Sequence, residues 1–334
     1  MKKFLFPLSL LLFCVLSCRK DEKTEVIPST GTKVYVAGYI NNLEDAYWVN
    51  DSAVILHDTI NHFYDVHSVW ASGNDLYFTG AAFWNGVKYA ALWKNGNVTK
   101  LTGEPHSGSA VSIWVSGKDV YTAGTVLADY ESTRAKYWKN GTGINLTNGK
   151  KGAGASAICV VGNDVYVAGF EGSVAMYWKN GKAIALSDGL IETVATSICV
   201  SGSDVYVAGW EDHTWSFSYS ARYWKNGVVV NLTDGTASSM ATTILVKDND
   251  VYVAGNDGND AGYWKNGVMV KLSSPLHSAI ASSMFLLGND IYVAGYEDNW
   301  PNYSFTAKYW KNGLVTNLNG VEPHALAFSI FVKP

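Results

Sequence analysis

From residue 33 onward, short apolar runs separated by Gly, Asn and Asp follow one another in a fixed order. A clear copy starts with Ser197-Ile-Cys-Val and a Ser-Gly-Ser turn, then Asp204-Val-Tyr-Val-Ala-Gly209. A loop follows, then Ala221-Arg-Tyr-Trp-Lys-Asn-Gly227 and the apolar stretch Val228 to Leu232. Each run is four to six residues long and rich in β-branched and aromatic residues, so each copy predicts four short strands, A to D. Strands C and D are joined by Asn-Gly, the hairpin signal of a turn that needs positive φ at both central residues. Six of seven copies carry it, and the first has Asn50-Asp51 instead.

The copies repeat at 40 to 46 residues. The Gly closing strand B stands at 38, 80, 124, 169, 209, 255 and 295, and the Trp of strand C at 48, 93, 138, 178, 224, 264 and 310. Four strands at this period make one blade of a β-propeller. The globular part begins in a strand B (Lys33 to Gly38) and ends in a strand A (Ser329-Ile330-Phe331-Val332), so the last strand is expected to complete the first blade. A solenoid needs capping repeats rather than such a permutation, whereas a ring uses it to close. The predicted fold is all-β: one closed seven-bladed propeller over 33–334. The seven Trp are expected to fill blade junctions, each worth roughly 3 kcal/mol by buried area.

The first residues are a different kind of segment. Lys2 and Lys3 precede an apolar run from Phe4 to Leu16, too short to span a bilayer as a helix. Val15-Leu16-Ser17-Cys18 resembles the lipobox of bacterial lipoproteins. That resemblance implies removal of residues 1–17 and acylation of Cys18, with 18–32 as a flexible tether. Arg19-Lys20-Asp21-Glu22-Lys23 resembles a signal that sends some Gram-negative lipoproteins to the outer face of the cell. The expected location is therefore the outer membrane, exposed at the cell surface and held by the lipid alone. The repeats themselves resemble those of bacterial lipoproteins built from tandem Tyr-Val-Ala-Gly…Tyr-Trp-Lys-Asn-Gly units. They resemble WD40 repeats only in the four-strand meander, because strand C carries Trp-Lys where WD40 repeats carry Trp-Asp.

The net charge of -4 becomes -4 - 2 = -6 once Lys2 and Lys3 are removed, and no basic patch stands out, which argues against nucleic acid. Two cysteines remain, Cys159 and Cys199, at equivalent positions of neighbouring copies, and both are expected to be buried free thiols. No serine- or zinc-hydrolase motif, phosphate loop or dinucleotide fingerprint occurs, and no cofactor is expected.

Spacing places the variation on one face. Strand-C Trp to strand-D Leu is always 8 residues, whereas strand-B Gly to strand-C Trp runs 10, 13, 14, 9, 15, 9 and 15. The long B–C connections carry Phe83 and Trp84; Trp210, Trp215 and Tyr219; and Tyr296, Trp300, Tyr303 and Phe305. Exposed, these would suit sugar rings or a protein partner; alternatively they pair across extended hairpins. The D–A loops hold His62, His106, His277 and His324, candidates for a metal or acid–base site or, as in WD40 repeats, for bracing the blades. The functional expectation is a non-catalytic module binding a glycan or an extracellular or envelope protein through the B–C loops. The alternatives are a polysaccharide-acting enzyme using His106 or His324 with a carboxylate, and a structural subunit of an envelope complex.

Overall fold

The computed structural model describes residues 31–41, 44–56, 63–103, 107–128, 132–213, 218–274, 277–299, 304–318 and 324–334, the side chains of 63 and 64 excepted. They form seven four-stranded antiparallel sheets. In six sheets the strands follow chain order from A to D. The first blade is Lys33–Ile40, Glu44–Val49 and Ser52–Ile55, with Ala325–Lys333 as its strand A. The two ends of the chain pair from Lys33↔Lys333 to Ile40↔Ala325, which closes the ring.

The turn chemistry reads as the sequence implies. In all six C–D Asn-Gly turns both residues have positive φ, as at Asn180 (51°) and Gly181 (80°). Asn50 (61°) alone serves the first blade.

The apolar core is divided among the junctions between blades. Trp178 of blade four is buried with Tyr121, Ala123 and Ala135 of blade three. Trp224, Trp264, Trp310 and Trp48 repeat the arrangement at the next four junctions. Each indole sits in a cluster with the Ala that precedes the strand-B Gly of the preceding blade, Ala168 for Trp224 and Ala208 for Trp264. The small Ala leaves room for the ring, and the dense contact of ring and sheet holds the blades together. Trp138 also donates Nε1–H to the Leu101 carbonyl of blade two at 2.7 Å. Trp93 is the exception, half-buried against the junction of blades one and two.

The recurrent Gly has a steric cause that its spacing could not give. Strand A carries a β-bulge opposite it, for example between Ala195 and Ser197. The bulge turns a strand-A carbonyl into the place of a side chain, so a Cβ on Gly209 would lie 2.1 Å from the Val194 oxygen. At Gly255 the Met240 oxygen would lie at 2.0 Å.

A network at the A–B turn end ties six blades. In blade four, Asp164 accepts Asn180 Nδ2–H at 2.7 Å and lies 2.9 Å from Lys179 Nζ, while Asn180 Oδ1 accepts the Val165 N–H at 2.9 Å. The Lys179 ammonium lies over the Tyr166 ring at 5.1 Å. Blade one keeps only the Asn50 bond to Val34 N–H.

Candidate functional site

The long B–C connections are extended hairpins. In blade two, strands Asp75–Trp84 and Val87–Lys94 meet through Asn85-Gly86, with φ of 50° and 78°. In blade five the pairing runs out to His213↔Ser218, and in blade seven to Asp298↔Phe305. In a four-stranded meander the B–C and D–A connections share one end, so all three hairpins extend the same face of the ring.

The aromatics pair diagonally across these hairpins. Trp84 meets Tyr89 at 5.8 Å, Trp210 meets Tyr219 at 4.8 Å and Tyr296 meets Phe305 at 5.6 Å, each edge to face. Trp84 packs on the junction of blades one and two, and Lys100 Nζ lies 3.3 Å from the Tyr89 ring centre. Trp210, Tyr219 and Tyr296 are half-buried. Burial pushes the Tyr296 phenol upward, with Tyr39 beside it adding to the shift. Two candidates stay partly exposed, Phe83 at 37% and Phe305, though paired with Tyr296, at 38%. Trp215, Trp300 and Tyr303 lie outside the described residues, as does Cys18.

Polar pairs brace the same hairpins. Arg222 makes a two-pronged bond to Glu211 at 2.7 and 2.6 Å, and His213 Nε2 lies 3.0 Å from Ser220 Oγ. The equivalent pair in blade seven is Lys308 with the buried Glu297, which also accepts the Ser274 N–H of blade six at 3.2 Å. Burial lowers the Lys308 ammonium below its ordinary range.

The four D–A loop histidines do not assemble into a site among the described residues. His277 Nδ1 lies 3.4 Å from Asp298 Oδ1 yet makes no hydrogen bond. The His324 carbonyl accepts Asn41 N–H at 2.7 Å and its backbone bridges Phe305, so its main chain fastens blade seven to blade one. His62 and His106 lie outside the described residues. Among the described residues, no group of three or more His, Cys, Asp and Glu could hold a metal. The cysteines are free, with Cys159 buried and Cys199 only half-buried, so the second is more open than its alternation implies. Burial raises the Cys159 thiol to about 12, and the nearby Cys199 adds to the shift.

One polar cluster was missed from sequence. In blade two the bulge of strand A (Phe63–Ser72) widens to the stretch between Tyr64 and Ser68. Asp65 takes φ of 64° there and pairs with Lys88. Asp45 of blade one is 6% exposed, and its Oδ1 accepts the Val66 N–H at 3.0 Å. Its Oδ2 is buried without a hydrogen-bond partner. Burial raises this carboxyl to about 7; the Val66 N–H opposes the shift and the Asp65 carboxylate adds to it. His67 is pushed down by burial, against the pull of Asp65. The signal was the interval from Leu56 to Ser68, 12 residues where every other copy has 11.

No family model matches the chain, and no curated protein matches it. Solved structures match its fold, two of them as follows. The β-propeller domain of the Trilobed protease from Pyrococcus furiosus, described as revealing an open velcro topology, is 12% identical with a TM-score of 0.52. That match covers 87% of this chain and 96% of that one. A Mycobacterium tuberculosis puromycin-hydrolyzing peptidase gives the same identity and TM-score over 78% of this chain, which spans only 47% of that protein. At such identity the likeness is one of fold alone: the chain is a seven-bladed β-propeller, with its first blade completed by the C-terminal strand.

Proposed function

We propose that the chain is a surface-anchored, non-catalytic binding module that recognises a glycan or an extracellular protein through its long B–C hairpins. One observation carries the reading: Phe83 and Phe305 keep over a third of their surface exposed on hairpins that extend the same face, Phe305 within the Tyr296 pair and Phe83 beside the Trp84–Tyr89 pair. A planar apolar surface on a rigid support suits the C–H face of a sugar or an apolar anchor of a protein. The lipobox-like Val15-Leu16-Ser17-Cys18 supports anchorage, which a Cys18→Ser variant released from the membrane fraction would bear out.

The binding test uses a glycan panel and surface-protein capture with residues 33–334. Parent protein is compared with Phe83→Ala/Phe305→Ala and Trp215→Ala/Trp300→Ala variants of equal thermal stability. Binding by the parent and its loss in either variant supports the reading, and the arm that responds names the ligand class. Equal binding by all three would move recognition off these hairpins. Turnover of a polysaccharide by the parent would replace the binder with an enzyme.

A further inference from the structure

The seven A strands surround a central cavity of about 550 Å³, within the range of small-ligand sites. Its wall has two layers. The upper layer is hydroxyl-rich, with Ser or Thr in every blade but the fourth, where Ala157 stands. Four of these hydroxyls already accept a backbone N–H from the next blade. Ser329 accepts from Val69 at 3.2 Å, Ser112 from Ile158 at 3.2 Å, Ser197 from Ile244 at 3.1 Å and Ser283 from Ile330 at 3.3 Å. A hydroxyl that accepts keeps its own hydrogen to give, and no described acceptor takes these four. The layer is therefore biased toward donation into the cavity.

Two residues further along each A strand, the seven-fold symmetry breaks. Phe285, Phe331, Trp70 and Trp114 form an unbroken arc over four consecutive blades, with ring centres 4.9, 4.8 and 5.0 Å apart. The remaining three blades carry Leu245, Cys199 and Cys159 at the same register, each opposite the strand-B Tyr of its blade. One side of the channel is thus walled by aromatic rings; on the other Leu245 lines it, while Cys199 and Cys159 pack into the blade-junction clusters. Lys247 is the one charged residue among those lining the cavity, its ammonium bonded to the Gly288 carbonyl and to Asn289 Oδ1 at 3.0 Å, and no carboxylate lines the cavity.

We propose that this channel is a second ligand site, separate from the B–C hairpins, and that it takes a planar apolar anion of the aryl-acid class. The apolar body lies along the aromatic arc. The acceptor head meets the hydroxyl hydrogens of the upper layer, and Lys247, about 13 Å further along its strand from Thr243, stands beyond the aromatic register rather than at the head.

The test uses 1-anilinonaphthalene-8-sulfonate with the purified protein and reads fluorescence and stoichiometry. Binding of one probe per chain is expected. N-phenyl-1-naphthylamine, which lacks the sulfonate, should bind at least about tenfold more weakly. A Leu245→Trp/Cys199→Trp variant should lose binding at least about tenfold as well, because two more indoles would fill the open side. Trp already occupies this register in blades two and three, so the scaffold has room for it in its own geometry. Thermal unfolding verifies that the variant folds, and Trp114→Cys, which instead opens the channel, is the second test of location. It should change probe affinity or stoichiometry. Phe83→Ala/Phe305→Ala should leave probe binding unchanged, which separates this site from the hairpin face. Probe binding unaltered in both channel variants would overturn the location. Equal affinity for the uncharged probe would overturn the anion, and loss only in the hairpin variant would assign the probe to the outer face.

Discussion

The two ends of the blades obey different rules. At the A–B turn end, six blades repeat one arrangement of Asp, Lys, Asn and Tyr, with Asp-to-Lys distances of 2.7 to 2.9 Å. At the B–C end nearly everything differs from blade to blade: hairpin length, aromatic pairs, buried ion pairs and the wide bulge at Asp65. The contrast separates what closes the ring from what is free to change. Junction contacts and turn chemistry hold neighbouring strands and blades together, so they recur in six of the seven blades, whereas a hairpin beyond the last junction contact can vary without opening the ring.

The sharpest way to break the regular half is to fill its tightest contact. Gly255→Ala would set a Cβ about 2.0 Å from the Met240 carbonyl, backbone against backbone. A loss of at least about 3 kcal/mol, or failure to fold, is expected in denaturant unfolding. Next comes Trp138→Ala, which empties the blade two–three junction and leaves the Leu101 carbonyl without its donor. About 3–5 kcal/mol should be lost.

The two ends also answer pH with opposite sign. Asp164 and its five counterparts are held below the ordinary carboxylate range, chiefly by hydrogen bonds from Lys and Asn. Their contribution is present above the unfolded value of about 4 and is lost as pH falls through the folded one. Asp45 works the other way. Its folded value of about 7 means that the folded state holds a proton the unfolded chain releases near pH 4. Stability from this group therefore declines as pH rises from about 4 to 7 and then levels off. Asp45→Asn keeps an acceptor for Val66 and removes the charge. It should raise stability at pH 8 by on the order of 1–3 kcal/mol relative to its effect at pH 5. Equal effects at both pH values would show that the proton is not held. The smallest effect is expected on the variable face: Phe83→Ala/Phe305→Ala should change stability by less than about 1 kcal/mol. A larger loss would show these rings to be part of the support rather than a surface.

Local chemistry made much of this legible. Asn-Gly at 180–181 announces its own turn, alternation announces the strands, and identical spacing from Trp to Leu announces identical blades. The site was harder to read because exposure depends on what neighbouring blades supply. Trp84 and Phe83 are adjacent and equally aromatic, yet one packs on a junction and the other keeps over a third of its surface exposed. Trp70 and Trp114 carried a signal, since they share a register with Cys159 and Cys199, but only the closed ring shows that Trp70 meets both Trp114 and Phe331.

By itself, then, the sequence determined the number of blades, their strands and turns, and the latch between Lys33–Ile40 and Ala325–Lys333, because periodicity and turn preference are properties of a few adjacent residues. The steric reason for the strand-B Gly in six blades, the burial of Asp45, the pairing of the rim aromatics and the lopsided channel were decided only by the tertiary structure. Each of these joins separate strands, often on neighbouring blades and up to 261 positions apart (Trp70 to Phe331), and no local pattern encodes which groups such a closure brings face to face.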